Sequence, residues 1–121
     1  MNWERLRDCE LAEFRAELHG WLDAHHAELA PRYAAPGTLD DHVAQMQRVK
    51  SLLFEAGWMQ FGWPERVGGR GGSPLLRMEL GAAIAARDLT DPGLYSLIEV
   101  LAPTLIDSDF SLIWFAISRI P

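Results

Sequence analysis

The sequence is poor in cysteine, poor in basic residues and without a long hydrophobic run, and each shortage excludes a class of protein. The single cysteine, Cys9, cannot form an internal disulfide, so we predict a cytoplasmic location. Residues 1–10 hold no apolar core followed by small residues, which argues against a secretory signal. The longest apolar concentration, residues 110–118, is shorter than the roughly 20 residues of a membrane-spanning helix. We therefore expect no membrane span.

Basic residues are outnumbered: 11 lysines and arginines face 17 acidic residues, and the formal net charge is -6. No stretch gathers the basic residues on one face, so we predict no nucleic-acid partner. The hydrophobic fraction of 49% and the charged fraction of 23% are ordinary for a folded globular chain. A length of 121 residues suits one domain with a single core.

Apolar residues at helical spacing predict a first helix from about Asp8 to Leu29. Its inner stripe consists of Leu11, Phe14, Leu18, Trp21, Leu22 and Leu29. Pro31, Pro36 and Gly37 then interrupt the pattern, because proline cannot continue a helix interior. A loop is expected there.

Two further helices are predicted on either side of an aromatic and glycine-rich loop. One begins at Asp40 or Asp41, whose carboxylates can accept bonds from free amides, and ends before Gly57. Its expected buried residues are Val43, Met46, Val49, Leu53 and Phe54. The other follows Ser73-Pro74 and runs to about Arg87. Its expected inner face is Leu76, Leu80, Ala83 and Ile84.

A fourth helix is predicted to open at Thr90-Asp91-Pro92 and to end or kink at Pro103. Its apolar residues are Leu94, Leu97, Ile98 and Leu101. No series of strands alternates with these helices. The predicted fold class is therefore all-α, with four to five helices in a bundle or half-bundle.

Three features of the sequence could carry chemistry. The glycines of residues 68–72 precede a helix and could hold a phosphate, but they lack P-loop and dinucleotide spacing, so we favour tight turns. The histidines His19, His25, His26 and His42 could suggest a metal; without a His-Glu-x-x-His motif, we favour solvated surface histidines. Trp58, Phe61 and Trp63 could stack on a ligand, but we favour core packing. We predict neither a metal site nor a catalytic residue.

The order of several motifs resembles the loop between the second and third helices of acyl-CoA dehydrogenases. The motifs are Leu53-Phe54-Glu55-Ala56-Gly57-Trp58, Gly62-Trp63-Pro64-Glu65, Gly68-Gly69-Arg70-Gly71 and Ser73-Pro74-Leu75. The likeness continues through Glu79-Leu80, Ala85-Ala86-Arg87 and Leu101-Ala102-Pro103-Thr104-Leu105, and it spans roughly residues 10–106. Its most specific part is the Trp-Pro-Glu to Gly-Gly segment.

The resemblance implies an FAD flavoprotein of lipid catabolism that removes hydrogen from the α and β carbons of an acyl-CoA. In that family the flavin lies mainly between the middle β domain and the carboxy-terminal helical domain, which supplies a glutamate base. Dimers or tetramers are usual. The resemblance also puts Tyr95 and Glu99 at the distal end of the acyl pocket, as the only substrate-site candidates here.

The likeness ends at Ile106, which divides the chain into a dehydrogenase-like helical domain, 1–106, and a divergent apolar tail, 107–121. No counterpart of the catalytic base or of most flavin ligands is present, so we expect an inactive amino-terminal domain from a truncated or frameshifted gene or a short paralogue. We expect the tail either to cover the fourth helix or to promote self-association. The alternative is a non-catalytic interaction module or a partner subunit of a full-length dehydrogenase.

Overall fold

The fold is seen in a computed structural model that describes residues 2–91. Within that range the chain forms five α-helices, one short 3-10 turn and no β-strand. The helices are α1 (Trp3–Asp8), α2 (Leu11–Ala24), α3 (His26–Leu29), α4 (Leu39–Ala56) and α5 (Leu75–Ala86). The all-α prediction is confirmed. The predicted fourth helix, the boundary at residue 106 and the tail lie outside the described residues.

The predicted first helix, about Asp8 to Leu29, is wrong as a single element: it begins only at Leu11 and is broken at His25, and an additional helix, α1, precedes it. Cys9 is extended, at φ -77° and ψ 172°, and ends α1. Asn2 caps α1 by accepting a hydrogen bond from the Arg5 amide, at 3.1 Å. The break between α2 and α3 is at His25, whose ring nitrogen lies 2.8 Å from the Trp21 carbonyl and whose ring stacks on the Trp21 indole at 4.2 Å.

The start of α4 is a capping box centred on Thr38 and not on an aspartate. The Thr38 hydroxyl accepts from the Asp41 amide at 3.1 Å, and the Asp41 carboxylate accepts from the Thr38 amide at 2.8 Å. At the other end Gly57 adopts the predicted left-handed conformation, with φ 94°. The helix therefore begins within a residue or two of the predicted position, through a cap that the prediction missed.

The core lies between α2, α4 and α5, with α1 and α3 closing its ends. It contains Leu6, Phe14, Leu18, Leu22, Leu29, Val49, Leu53, Leu76, Leu80 and Ile84. The predicted inner face of α5 is confirmed in full. On α4 the prediction was partly wrong: Val43 and Phe54 are only half-buried, whereas the polar residues Gln45 and Lys50 are buried.

Two polar contacts join separate segments, one inside this core and one at the surface of the protein. Gln45 donates from one amide nitrogen to the carbonyls of Leu29 and Leu89, each at 2.7 Å. Arg15 of α2 makes a two-pronged salt bridge to Glu79 of α5, at 2.6 and 2.9 Å.

Among residues 2–91, no helix is long and apolar enough to cross a membrane.

Candidate functional site

The loop between α4 and α5 carries the motifs that gave the resemblance, and the structure shows how it is held. Met59, Phe61, Trp63 and Val67 point into the protein and are at most 3% exposed. Arg77 of α5 fastens the loop: its guanidinium donates to the carbonyls of Met59 and Phe61, at 2.6 and 3.1 Å. The same guanidinium lies 4.1 Å from the centre of the Trp63 ring, a close cation–π contact.

The glycine-rich segment uses its amide groups within the loop. Arg70 donates from its amide to the Gln60 carbonyl at 2.9 Å, and Gly71 donates to the Trp63 carbonyl at 2.8 Å. Gly68 and Gly69 donate to the Glu65 and Pro64 carbonyls, each at 3.0 Å. A phosphate cradle needs free amides that converge on an anion, and these four are occupied. The favoured interpretation, tight turns, agrees with this geometry.

Gly69 is required by a close backbone approach. A Cβ atom at this position would lie 2.1 Å from the Trp63 carbonyl oxygen, far inside van der Waals contact. Because Gly69 has no side chain, the chain can pass directly over Trp63. The next turn then lets the Gly71 amide donate its hydrogen bond to the same Trp63 carbonyl. The Trp-Pro-Glu to Gly-Gly spacing thus has a structural reason: the second part of the motif lies against the first.

The aromatic residues form a cluster in the core, as predicted. Phe14 makes edge contacts with Trp58 and Phe61, with ring centres 5.6 and 5.3 Å apart. Trp58 is only 3% exposed. Its indole nitrogen, however, is closed to water and finds no hydrogen-bond partner among residues 2–91. A buried tryptophan N–H normally has a partner, so this one stands out.

The corner where α1 meets the loop is rich in arginine. Arg70 lies over the rings of Trp3 and Phe61, at 5.1 and 5.7 Å from their centres. Burial lowers the pKa of Arg70 from its ordinary value, although so basic a group stays charged. Arg7 is paired with Asp8 at 2.8 Å and with Glu65 at 3.6 Å. The hydrogen bond to Asp8 raises the pKa of Arg7 and lowers that of Asp8.

The histidines do not converge on a metal, since the described part of the chain has no cluster of three metal-ligating side chains. The expectation that they are solvated holds only for His26, which is exposed. The other three are half-buried and hydrogen-bonded. The ring nitrogens of His42 lie 2.8 Å from the Tyr33 hydroxyl and 2.8 Å from the Pro36 carbonyl. His19 accepts a bond from Arg87, at 2.6 Å.

A groove lined by residues of α1 and α2 and by Trp58 is a concavity that sequence reasoning missed. Its volume is about 620 Å³, within the range of small-molecule sites. Trp21 and Trp58 form its aromatic part, together with Leu6 and Ala16. Sequence reasoning predicted no helix over Trp3–Asp8, so it gave no reason to expect a groove beside α1 and α2.

The predicted substrate residues, Tyr95 and Glu99, lie outside the described residues. Their assignment to an acyl pocket stays a prediction. Sequence reasoning also missed Gln45 and Arg77, which tie separate segments together. For Gln45 a signal was available: this glutamine lies on the inward-facing side of α4, beside the apolar stripe.

The comparisons with known proteins agree with the motifs. The chain is similar to an acyl-CoA dehydrogenase. Acyl-CoA dehydrogenase IpdE1 of Mycobacterium tuberculosis is 34% identical to it over an alignment of 103 residues, which covers 80% of this chain and 26% of the relative. No protein-family model matches the chain, and no solved structure matches it. The chain therefore spans only about a quarter of the length of this relative.

Proposed function

We propose that this chain is the amino-terminal helical domain of an FAD-dependent acyl-CoA dehydrogenase of lipid catabolism, located in the cytoplasm, and that it is inactive alone. The observation that supports this most is the match of 34% identity across 80% of the chain. The Trp63-Pro64-Glu65 loop adds support, because Gly69 and Arg77 hold it in one defined shape. Such a domain contributes one wall of the acyl pocket.

The described residues do not fit a flavin site, which is the reason for the proposed inactivity. The amides of residues 68–71 are occupied within the loop and cannot receive the pyrophosphate of FAD. The acidic side chains at the corner where α1 meets the loop, Asp8 and Glu65, are paired with Arg7, so neither is a free general base. In an intact dehydrogenase the flavin and the base belong to parts that have no match here.

Purification of the chain tests the inactivity directly. We expect a colourless protein that binds no FAD in stoichiometric amount and does not reduce a dye when acyl-CoA is added. Flavin absorption is the first measurement, and acyl-CoA-dependent dye reduction is the second. Bound FAD at one per chain, or dye reduction that depends on acyl-CoA, would contradict the proposal.

A chimera tests the domain assignment without relying on inactivity. The matched segment of the Mycobacterium tuberculosis relative is replaced by this chain, and a second protein simply lacks that segment. The chimera is expected to be soluble and yellow, whereas the deletion protein loses flavin or aggregates. A chimera as damaged as the deletion would argue that this chain is not an equivalent domain.

The same chimera tests the proposed acyl-pocket residues, Tyr95 and Glu99. Their assignment rests on the resemblance alone. If both line the distal end of the pocket, Glu99→Gln and Tyr95→Phe should change the ratio of kcat/KM between long and short acyl-CoA substrates. An equal decrease of kcat/KM for all substrates would show that these two residues do not line the distal end of the pocket.

A partner-subunit function is the second candidate, and the outward face of α5 favours it. Leu75 and Met78 are 50% and 66% exposed, and the exposed Ala82 and Ala85 continue the same side of the helix. An apolar face of this kind suits contact with another polypeptide. Co-expression with the full-length relative distinguishes the candidates: stable co-elution with an intact dehydrogenase supports the partner subunit, and separate elution supports the domain.

A further inference from the structure

The groove beside α1 and α2 joins an aromatic and apolar surface to a rim with an excess of negative charge. We propose that it binds an amphipathic amine, a small molecule that joins a flat apolar ring to an ammonium group. The ring packs on the accessible side of Trp21, and the ammonium group lies beside the carboxylates of Glu13 and Glu17. The inference is independent of the dehydrogenase function, because the residues that carry it belong to α1 and α2.

Two small residues on α2 open the groove. Ala16 and Gly20 are one helical turn apart and exposed, and Trp21 follows directly in the chain. A Cβ atom at Gly20 would have no neighbour within 4 Å, so the space beside it is free. With a volume of about 620 Å³, the groove has room for a small fused-ring molecule.

Trp21 determines the apolar part of the ligand. This residue is half-buried and presents part of its surface to the groove, whereas Trp58 is only 3% exposed. His25 stacks on the Trp21 ring at 4.2 Å and hydrogen-bonds to the Trp21 carbonyl at 2.8 Å, which holds the indole in place. A flat apolar ring therefore meets a surface that is already oriented, and it gains contact area without a rearrangement of the protein.

The charges of the rim determine the polar group of the ligand. Arg5 of α1 lies 3.0 Å from the Glu17 carboxylate and 3.6 Å from that of Glu13. Among the described residues that line the groove, Arg5 is the only cation, so two carboxylates share one guanidinium and an excess negative charge remains. The side chains of Glu13 and Glu17 are 59% and 54% exposed, so a ligand can reach their oxygen atoms. An ammonium group supplies the missing positive charge, whereas an anion would be repelled.

Substitutions at the groove separate the effect of charge from that of shape. Arg5→Gln removes the competing cation, so it should strengthen amine binding by about threefold, and Glu13→Gln should weaken it by about the same factor, as expected for exposed ion pairs. Gly20→Leu fills the open space and should weaken binding by about tenfold, whereas Gly20→Ala adds little volume and keeps it. Glu10→Gln is the matched charge control, since Glu10 is exposed and does not line the groove. All four positions are exposed, so the fold should tolerate the changes.

The experiment titrates the full chain with 2-naphthylmethylamine at neutral pH and follows the amide and indole resonances of the protein by NMR. The compound 2-ethylnaphthalene has a similar shape without a charge, and 2-naphthylacetate carries the opposite charge. The amine should bind more tightly than either of them, and it should shift the indole resonance of Trp21. Added salt should weaken binding of the amine but not of the neutral compound, because exposed ion pairs are screened.

Each result decides the proposal. Preferred binding of the amine that increases in Arg5→Gln, decreases in Glu13→Gln and is unchanged in Glu10→Gln supports it. Equal affinity for the amine and 2-ethylnaphthalene, or weaker amine binding to Arg5→Gln, would show that no ammonium site exists. Equal decreases in Glu10→Gln and Glu13→Gln would reduce the effect to a general attraction to an acidic chain. Full binding to Gly20→Leu would place the ligand outside the groove, and no binding up to the solubility limit would overturn the proposal.

Discussion

The shape of the loop between α4 and α5 depends on one side chain, that of Trp63. Its ring is 3% exposed and packs under the Arg77 guanidinium. Trp63→Ala should therefore lower the free energy of unfolding by about 3–5 kcal/mol, as measured by urea denaturation. That loss is large beside the total stability of about 5–15 kcal/mol that is usual for a domain.

Met78 provides the control for this substitution, since its side chain is 66% exposed. Met78→Ala should change the free energy of unfolding by no more than about 0.5 kcal/mol. An unchanged urea midpoint for Trp63→Ala would show that the ring is not enclosed in solution. It would move Trp63 from the core towards a contact with a ligand or partner.

Gln45 is the second side chain whose loss should be costly. Gln45→Leu leaves the carbonyls of Leu29 and Leu89 without the amide that now bonds both. We expect a destabilisation of about 2 kcal/mol in urea denaturation, because buried acceptors lose their donor. Gln47→Leu is the matched control, since that half-buried residue of the same helix makes no side-chain hydrogen bond among the described residues. Equal effects of the two substitutions would contradict the role of Gln45.

The loop between α4 and α5 should respond to substitution as one element. Gly69→Ala forces a methyl group against the Trp63 carbonyl, so we expect a cost of about 3 kcal/mol, at the upper end for overpacking. Gly20→Ala, in open space on α2, should instead stabilise by about 0.5–1 kcal/mol. Thermal unfolding of both variants measures the contrast. A Gly69→Ala protein as stable as the unaltered chain would mean that the loop has another conformation in solution.

The helices differ in how much of them could be predicted, and the differences have physical causes. The carboxy-terminal end of α4 and the inner face of α5 followed from local signals, a glycine cap and apolar spacing. The break at His25 did not, because the apolar stripe continues from Leu22 to Leu29, and α1 did not, because the predicted stripe begins only at Leu11. A hydrophobic pattern shows which side of a helix is buried. It does not reveal a break after which the same side remains buried.

The loop contacts show a second limit of sequence reasoning. The glycines were correctly predicted to permit turns, but nothing local shows that Gly69 passes over Trp63 or that Arg77 bonds to Met59. These contacts join segments that come together only after the helices pack. The candidate substrate residues, Tyr95 and Glu99, remain predictions from the resemblance.

The pH dependence of stability is a property of the whole packed chain, and the bridge between α2 and α5 contributes to it. The hydrogen bond from Arg15 lowers the pKa of Glu79 in the folded protein. The stabilisation is complete above the ordinary glutamate pKa of about 4.3 and disappears as pH falls through the lower folded-state value. Glu79→Gln should thus destabilise at neutral pH and converge with the unaltered chain in acid.

Glu55→Gln is the control for this pH series, because Glu55 is exposed and makes no ion pair among the described residues. Its free energy of unfolding, measured by urea at each pH, should follow that of the unaltered chain throughout. A Glu79→Gln curve that stays parallel to the unaltered one down to strong acid would exclude the bridge as a source of the pH dependence.

The internal hydrogen bonds of the loop also bear on attack by proteases. Trypsin needs several residues in extended form around the bond that it cuts, and the segment around Arg66 and Arg70 is folded on itself by its own amides. Residues 31–37 make no backbone-to-backbone hydrogen bond among the described residues, and Arg32 is exposed there. Limited digestion with trypsin should therefore cut the chain after Arg32 before it cuts after Arg66 or Arg70, because the loop between α4 and α5 stays folded until the domain unfolds.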